Sequence, residues 1–186
     1  MSSSLPNLLI VTQWYRPAYK AGGPVTSLFN LVEQLKQYAN ITVLCGAHDL
    51  GESMPLDIDL DRETMHGGVR IIYTSTLKST LTWFNELTKR IDFSSVYFND
   101  YYSPRYFVFP RIILSLKGDK SKPVLALRGM LLPGALAYKS FKKRVYTAIM
   151  RIFLAWFKTE LHFTSAQEEF SSLKLLGKHL KHKTLP

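Results

Sequence analysis

The chain has 186 residues, of which 46% are hydrophobic and 20% charged, with one cysteine and a formal net charge of +10. That length makes one large domain, and that composition excludes a disordered tail, a collagen-like repeat and a low-complexity linker. Residues 1–116 carry ten basic and ten acidic side chains, so the whole excess of positive charge falls on residues 117–186 and points to a surface built for anions.

The first apolar run, residues 7–12, is followed by loop residues and predicts a buried parallel strand. No basic segment precedes it and it is too short for a signal peptide, so a cytoplasmic protein is expected. From Pro24 the apolar residues Val25, Leu28, Phe29, Val32 and Leu35 recur at helical spacing. Residues 41–44 predict a second strand, residues 46–68 a polar loop, and residues 69–73 a third strand. A helix near 79–90 leads to a fourth strand at 95–98, and another helix follows Pro104. Residues 123–127 predict a fifth strand, 138–158 a long helix, 161–163 a short sixth strand and 165–176 a last helix. Strands separated by helices imply right-handed crossovers, hence an α/β fold with a parallel sheet and helices on both faces, in one domain spanning 1–186. Ligands of such folds sit beyond the carboxyl ends of the strands, which nominates the loops starting at Gln13, Cys45, Asn99, Arg128 and Thr164.

In the first of these loops Gly22 and Gly23 let backbone approach a ligand, Pro24 suits a first helical turn, and Lys20 adds a cation to the helix N-terminus. The same Gly-Gly-Pro also serves a plain helix start. Neither G-x-G-x-x-G nor a P-loop motif occurs, which argues against an ordinary dinucleotide or nucleoside triphosphate site. Asn99 and Asp100 can bind sugar hydroxyls and Tyr101 can stack on a ring, or the pair can simply form a turn. Arg128 offers a forked pair of donors to phosphate or carboxylate, with Gly129 clearing space beside it. Ser165 and Glu168 form a capping box, Ser165 accepting from the Glu168 N–H while the Glu168 side chain reaches back. No metal site is expected, His179 and His182 reading as part of a solvated basic tail, and no catalytic triad or carboxylate pair stands out. The helix at 138–158 carries one stripe, Tyr138, Phe141, Val145, Ala148, Ile149, Ile152 and Trp156, expected to pack on the sheet. A second patch of Met150, Phe153, Leu154 and Phe157, with Lys139, Lys142, Lys143 and Arg144 in the first turns, fits an anionic membrane surface or a covering helix.

Taken in order, the stretch from Asn7 through Tyr19-Lys-Ala-Gly-Gly-Pro24, the segment Arg128-Gly-Met-Leu-Leu-Pro-Gly-Ala-Leu136, the basic helix start and Thr164-Ser165…Glu168 resemble the amino-terminal half of family 4 (group 1) glycosyltransferases over nearly the whole chain. The resemblance implies a GT-B architecture: two Rossmann-like domains facing across a cleft, the amino-terminal one holding the acceptor and the other, with its E-x₇-E motif, holding the nucleotide-sugar donor. It implies sugar transfer with retention, without metal and without a cofactor beyond the nucleotide-sugar co-substrate, to a polysaccharide or a lipid-linked acceptor at the inner face of the cell membrane. Gly22 and Gly23 would border the donor diphosphate, and Arg128 and Ser165 would face the same cleft. Two departures stand out. The residues Lys183-Thr-Leu-Pro186 resemble the last strand before the interdomain hinge, so the donor domain is expected to lie outside this chain and the isolated chain to be inactive. Arg128 stands where many relatives carry a histidine. A stand-alone Rossmann-type module that binds an anion or phosphorylated metabolite is the alternative, and nucleic acid is not expected as a partner because no nucleic-acid motif is present.

Overall fold

The computed structural model describes residues 5–137 and 140–185. Its strands are β1 (Asn7–Thr12), β2 (Asn40–Gly46), β3 (Glu63–His66), β4 (Val69–Thr74), β5 (Ser95–Phe98), β6 (Lys122–Ala126), β7 (Glu160–Phe163) and β8 (His182–Thr184). Its helices are α1 (Gly23–Leu35), α2 (Leu77–Arg90), α3 (Phe109–Leu116, entered through a π-helical turn at Pro104–Val108), α4 (Pro133–Ala137), α5 (Ser140–Trp156) and α6 (Ala166–Leu176). One sheet holds the strands in the order β3-β4-β2-β1-β5-β6-β7-β8. Every neighbouring pair is parallel except β3 and β4. The architecture is therefore the expected α/β, Rossmann-like one. Leu9, Ile10 and Val11 on β1 and Val43 and Leu44 on β2 are fully buried, as strands covered on both faces require.

Two segments depart from the expectation. Residues 46–68 do not stay a loop to their end. They finish in β3, an edge strand paired with β4 through a hairpin in which His66 faces Val69. The two linking residues, Gly67 and Gly68, have φ of 57° and 85°, the mirror-image turn that matches strand twist. The strand itself left little trace because it lies at an edge and buries no residue fully. His182 departs as well: it is half-buried and not solvated, at the start of β8, which overlaps the last strand expected at 183–186. Its Nδ1 donates to the Leu180 carbonyl at 2.8 Å and its Nε2 lies 3.3 Å from Glu169.

The sheet separates two cores. On one face Phe84 and Leu87 of α2, Leu114 of α3, Met150 and Leu154 of α5, and Leu173 and Leu176 of α6 pack on Leu9, Val11, Phe98, Leu125 and Phe163. On the other, Leu28 and Val32 of α1 pack on Ile10, Ile41, Val43 and Ile71. Helices lie on both faces, but among the described residues α1 alone covers the second.

Helix α5 packs the other way round from the expectation. Met150 and Leu154 are buried and Phe153 packs against the core, whereas Phe141, Val145, Ile149, Ile152 and Trp156 face outwards. A helix with two apolar faces has no local preference between them. Its anchors decide. The Tyr146 hydroxyl donates to the Tyr101 carbonyl at 2.7 Å, and Phe153 meets Phe107 edge-on at 5.8 Å. Tyr138 and Lys139 lie outside the described residues.

Candidate functional site

Strand order reverses at β1, whose crossover through α1 leads to β2 on one side while β5 lies on the other. A crevice at the carboxyl ends of the strands is the geometric consequence. Several nominated residues meet there.

The chain leaves β6 through a tight turn in which the Met130 N–H donates to the Leu127 carbonyl at 2.9 Å. Both central residues have positive φ, 48° at Arg128 and 75° at Gly129. Glycine adopts that conformation freely, but an arginine held there stores on the order of 1 kcal/mol of strain. Glu168, buried on the first turn of α6, supplies the restraint. One carboxylate oxygen accepts from the Gly129 N–H at 2.5 Å, and the other accepts from the Thr164 N–H at 2.7 Å and the Thr164 hydroxyl at 2.8 Å. Ser165 caps α6 as expected, its hydroxyl accepting from the Glu168 N–H at 3.2 Å. The Glu168 side chain, however, reaches past the cap to Thr164 and across to Gly129.

The Arg128 guanidinium is held by three uncharged groups. Nε donates to Asn99 Oδ1 at 3.0 Å, Nη1 to the Ser27 hydroxyl at 2.8 Å, and Nη2 to the Tyr97 hydroxyl at 3.3 Å. No ion pair among the described residues includes it. The network continues through Tyr97 to His162 Nδ1 at 2.7 Å, and His162 Nε2 lies 3.1 Å from the Leu185 carbonyl. A carbonyl only accepts, so Nε2 carries the proton, and in the neutral ring Nδ1 accepts from Tyr97. Burial pushes the His162 pKa down and the Tyr97 pKa up, which keeps both groups neutral around physiological pH. Small Ala126, level with His162 on the intervening strand, leaves room for the two rings to meet.

Ser27 lies on α1, just past the Gly22–Gly23 start, so the Gly-Gly turn and Arg128 share one edge of the sheet. Gly22 is the N-cap, at φ 67°, and no side chain caps the helix. A methyl group at Gly22 or Gly23 would meet nothing within 4 Å, so the space before the helix is open.

Lys20 does not join this group. Its ammonium pairs with exposed Glu52, and the Tyr19 and Lys20 N–H groups donate to Asp49 at 2.9 and 3.0 Å. A carboxylate of the chain itself thus takes the backbone donors around Lys20, while the helix start at Gly22–Gly23 stays open. Burial tends to raise the Asp49 pKa, but the backbone donors of Tyr19, Leu50 and Lys20 outweigh it and hold the group below its ordinary value.

The loop after β5 is also more structural than expected. Asn99 is buried and orients Arg128 rather than a sugar hydroxyl. Asp100 accepts from the Gln13 N–H at 2.6 Å and so pins the loop after β1. Burial pushes its pKa up to about 6 despite that bond. Tyr101 is fully buried, packed edge-on against Tyr102 at 4.8 Å and Tyr146 at 5.4 Å, and cannot stack on a ligand. Of the basic residues expected on the outer surface of α5, Lys142 and Arg144 are exposed. Lys143 turns inward, donating to the Ala135 carbonyl and lying 5.5 Å from the Tyr102 ring.

The structure thus gathers Arg128, Gly129, Asn99 and the Gly22–Gly23 helix start, with Ser165 tied to them through Glu168, and leaves Lys20 apart. Sequence reasoning missed Ser27 and Tyr97 as partners of Arg128, and His162 behind Tyr97, because contacts between distant elements and not local pattern bring them together. The Glu168 brace was half visible, as the capping residue. The arrangement offers a preorganised cation with unused N–H donors beside an open helix N-terminus, which suits a phosphate or carboxylate group. The chain matches no known family profile and no curated protein.

Proposed function

We propose that this chain forms the acceptor-side wall of a retaining glycosyltransferase, which moves a sugar from a nucleotide-sugar donor to a saccharide or lipid-linked acceptor. The observation that carries the reading is Arg128: a guanidinium on a strained turn, held by uncharged partners, at the carboxyl edge of the sheet beside the open start of α1. A departing nucleoside diphosphate gains negative charge as the glycosyl bond breaks. A cation already oriented by Asn99, Ser27 and Tyr97 stabilises that charge without reorganising. The ordered sequence resemblance supplies the carbohydrate chemistry. Catalysis also requires a second wall to hold the donor and exclude water, so residues 1–186 alone bind but do not turn over.

Isothermal titration with uridine diphosphate and with inorganic pyrophosphate tests this. Saturable binding that falls at least about tenfold in R128A is the expected outcome, since a charge-assisted pair is worth about 1.5–3 kcal/mol. Binding untouched by R128A removes the site. Rapid sugar transfer by this chain alone removes the single-wall reading.

A further inference from the structure

Helix α5 has two apolar faces, and among the described residues the fold covers one. On the outward face Phe141 is 78% exposed, Ile149 61%, Ile152 70% and Trp156 79%, and Phe170 of neighbouring α6 is 73% exposed. At 17 residues the helix is about 25 Å long, so this is a continuous strip and not a scatter of single side chains. Stepping 100° per residue puts Lys142 on one flank of the strip and Arg144 and Arg151 on the other. Arg144, Arg151 and Lys174 of α6 also line a groove of about 1050 Å³ between α4, α5 and α6, whose walls include Leu136 and Ile152. No acidic residue occurs anywhere from Lys120 to Thr159, and none of these four cations has an ion-pair partner among the described residues.

We infer that this face docks on an anionic lipid surface. The strip sinks to the boundary between headgroups and acyl chains, and Lys142, Arg144, Arg151 and Lys174 extend their alkyl stems along it to meet lipid phosphates. Charge selects the occupant. A second copy of the chain would bring the same cations against these, and two such faces would repel each other. A bilayer bearing anionic headgroups offers apolar depth and negative charge in the layered order that this face presents. No helix among the described residues is long and apolar enough to cross a membrane, so the contact is peripheral. The inference rests on α5 and α6 alone and stands apart from the sugar-transfer reading.

Vesicle co-sedimentation of the full chain tests it. Phosphatidylcholine vesicles containing about a third phosphatidylglycerol should bind at least about tenfold more strongly than pure phosphatidylcholine, and added salt should weaken the binding. R144E/R151E should lose at least about tenfold in partitioning, because each basic residue contributes strongly near an anionic surface. I149E/I152E should abolish binding while melting at the wild-type temperature, since both side chains already face solvent. Trp156 emission should shift to the blue on anionic vesicles, and W156F should lose that shift. Equal binding to both vesicle types, or to neither, overturns the inference. So does full competition by millimolar inorganic phosphate, which would mean an anion site and not a surface. A concentration-dependent dimer that shields Trp156 in the absence of lipid would overturn it in favour of self-association.

Discussion

The loop after β1 and the loop after β6 both bring a cation to the carboxyl edge of the sheet, and they leave it in opposite electrostatic states. Lys20 is matched by Glu52, and the backbone donors around it are filled by Asp49. Among the described residues Arg128 donates its hydrogen bonds to an amide and two hydroxyls and pairs with no carboxylate. An exposed ion pair such as Lys20–Glu52 contributes little to stability, but it does remove a charge from use. At Arg128 the fold does the reverse, accepting backbone strain to keep a charge unmatched. The lesson is that availability of a cation depends on its partners more than on its position in a loop.

The strongest way to break this contrast is to remove the brace. E168A takes away the acceptor of three hydrogen bonds, and the loop after β6 should lose its shape at a cost of about 3 kcal/mol, or a melting temperature lower by about 6–12 °C. A variant melting within a degree of the parent would show that the turn holds itself.

The two aspartates that anchor the first loop sharpen the contrast by sign. Asp100 has a folded pKa near 6, above its unfolded value, so its contribution to stability is full at pH below about 4 and is lost as the pH rises through 6. The loss amounts to at most about 3 kcal/mol. Asn keeps an acceptor for the Gln13 N–H without a charge to bury, so D100N should flatten the decline between pH 4 and 7 in urea unfolding. Parallel profiles for the two proteins would contradict the burial argument. Asp49 acts in the opposite direction: its folded pKa is lowered, so its contribution is present above the unfolded value and fades on acidification.

Next in size is R128G. Relief of the left-handed strain offsets part of the loss of the three side-chain hydrogen bonds, so stability should stay within about 1 kcal/mol of the parent while diphosphate binding falls at least about tenfold. Loss of stability together with binding would mark Arg128 as structural. The smallest effect belongs to K20A, for which both melting temperature and diphosphate affinity should stay at wild-type values. A clear loss of affinity would return Lys20 to the site.

Much of the fold could be read along the chain. The run at β1, the helical spacing after Pro24 and the cap at Ser165 are local signals, and the structure repeats them nearly residue for residue. The edge strand β3 escaped because it buries nothing fully, although its Gly67–Gly68 turn was in plain view. At the site, Arg128 and Gly129 could be nominated from the loop alone. Their partners could not: Ser27 lies 101 residues away, Glu168 lies 39 from Gly129, and Tyr97 meets His162 across a strand between them.

By itself the sequence determined the alternation of strands and helices, the caps and the concentration of positive charge in the carboxyl half, because these depend on periodicity and on neighbours a few residues apart. Only the tertiary structure decided which face of α5 is buried, which cations are matched and which carboxylate holds which loop. Those outcomes depend on contacts between distant segments, and a local pattern with two equivalent solutions carries no information about which one its surroundings will select.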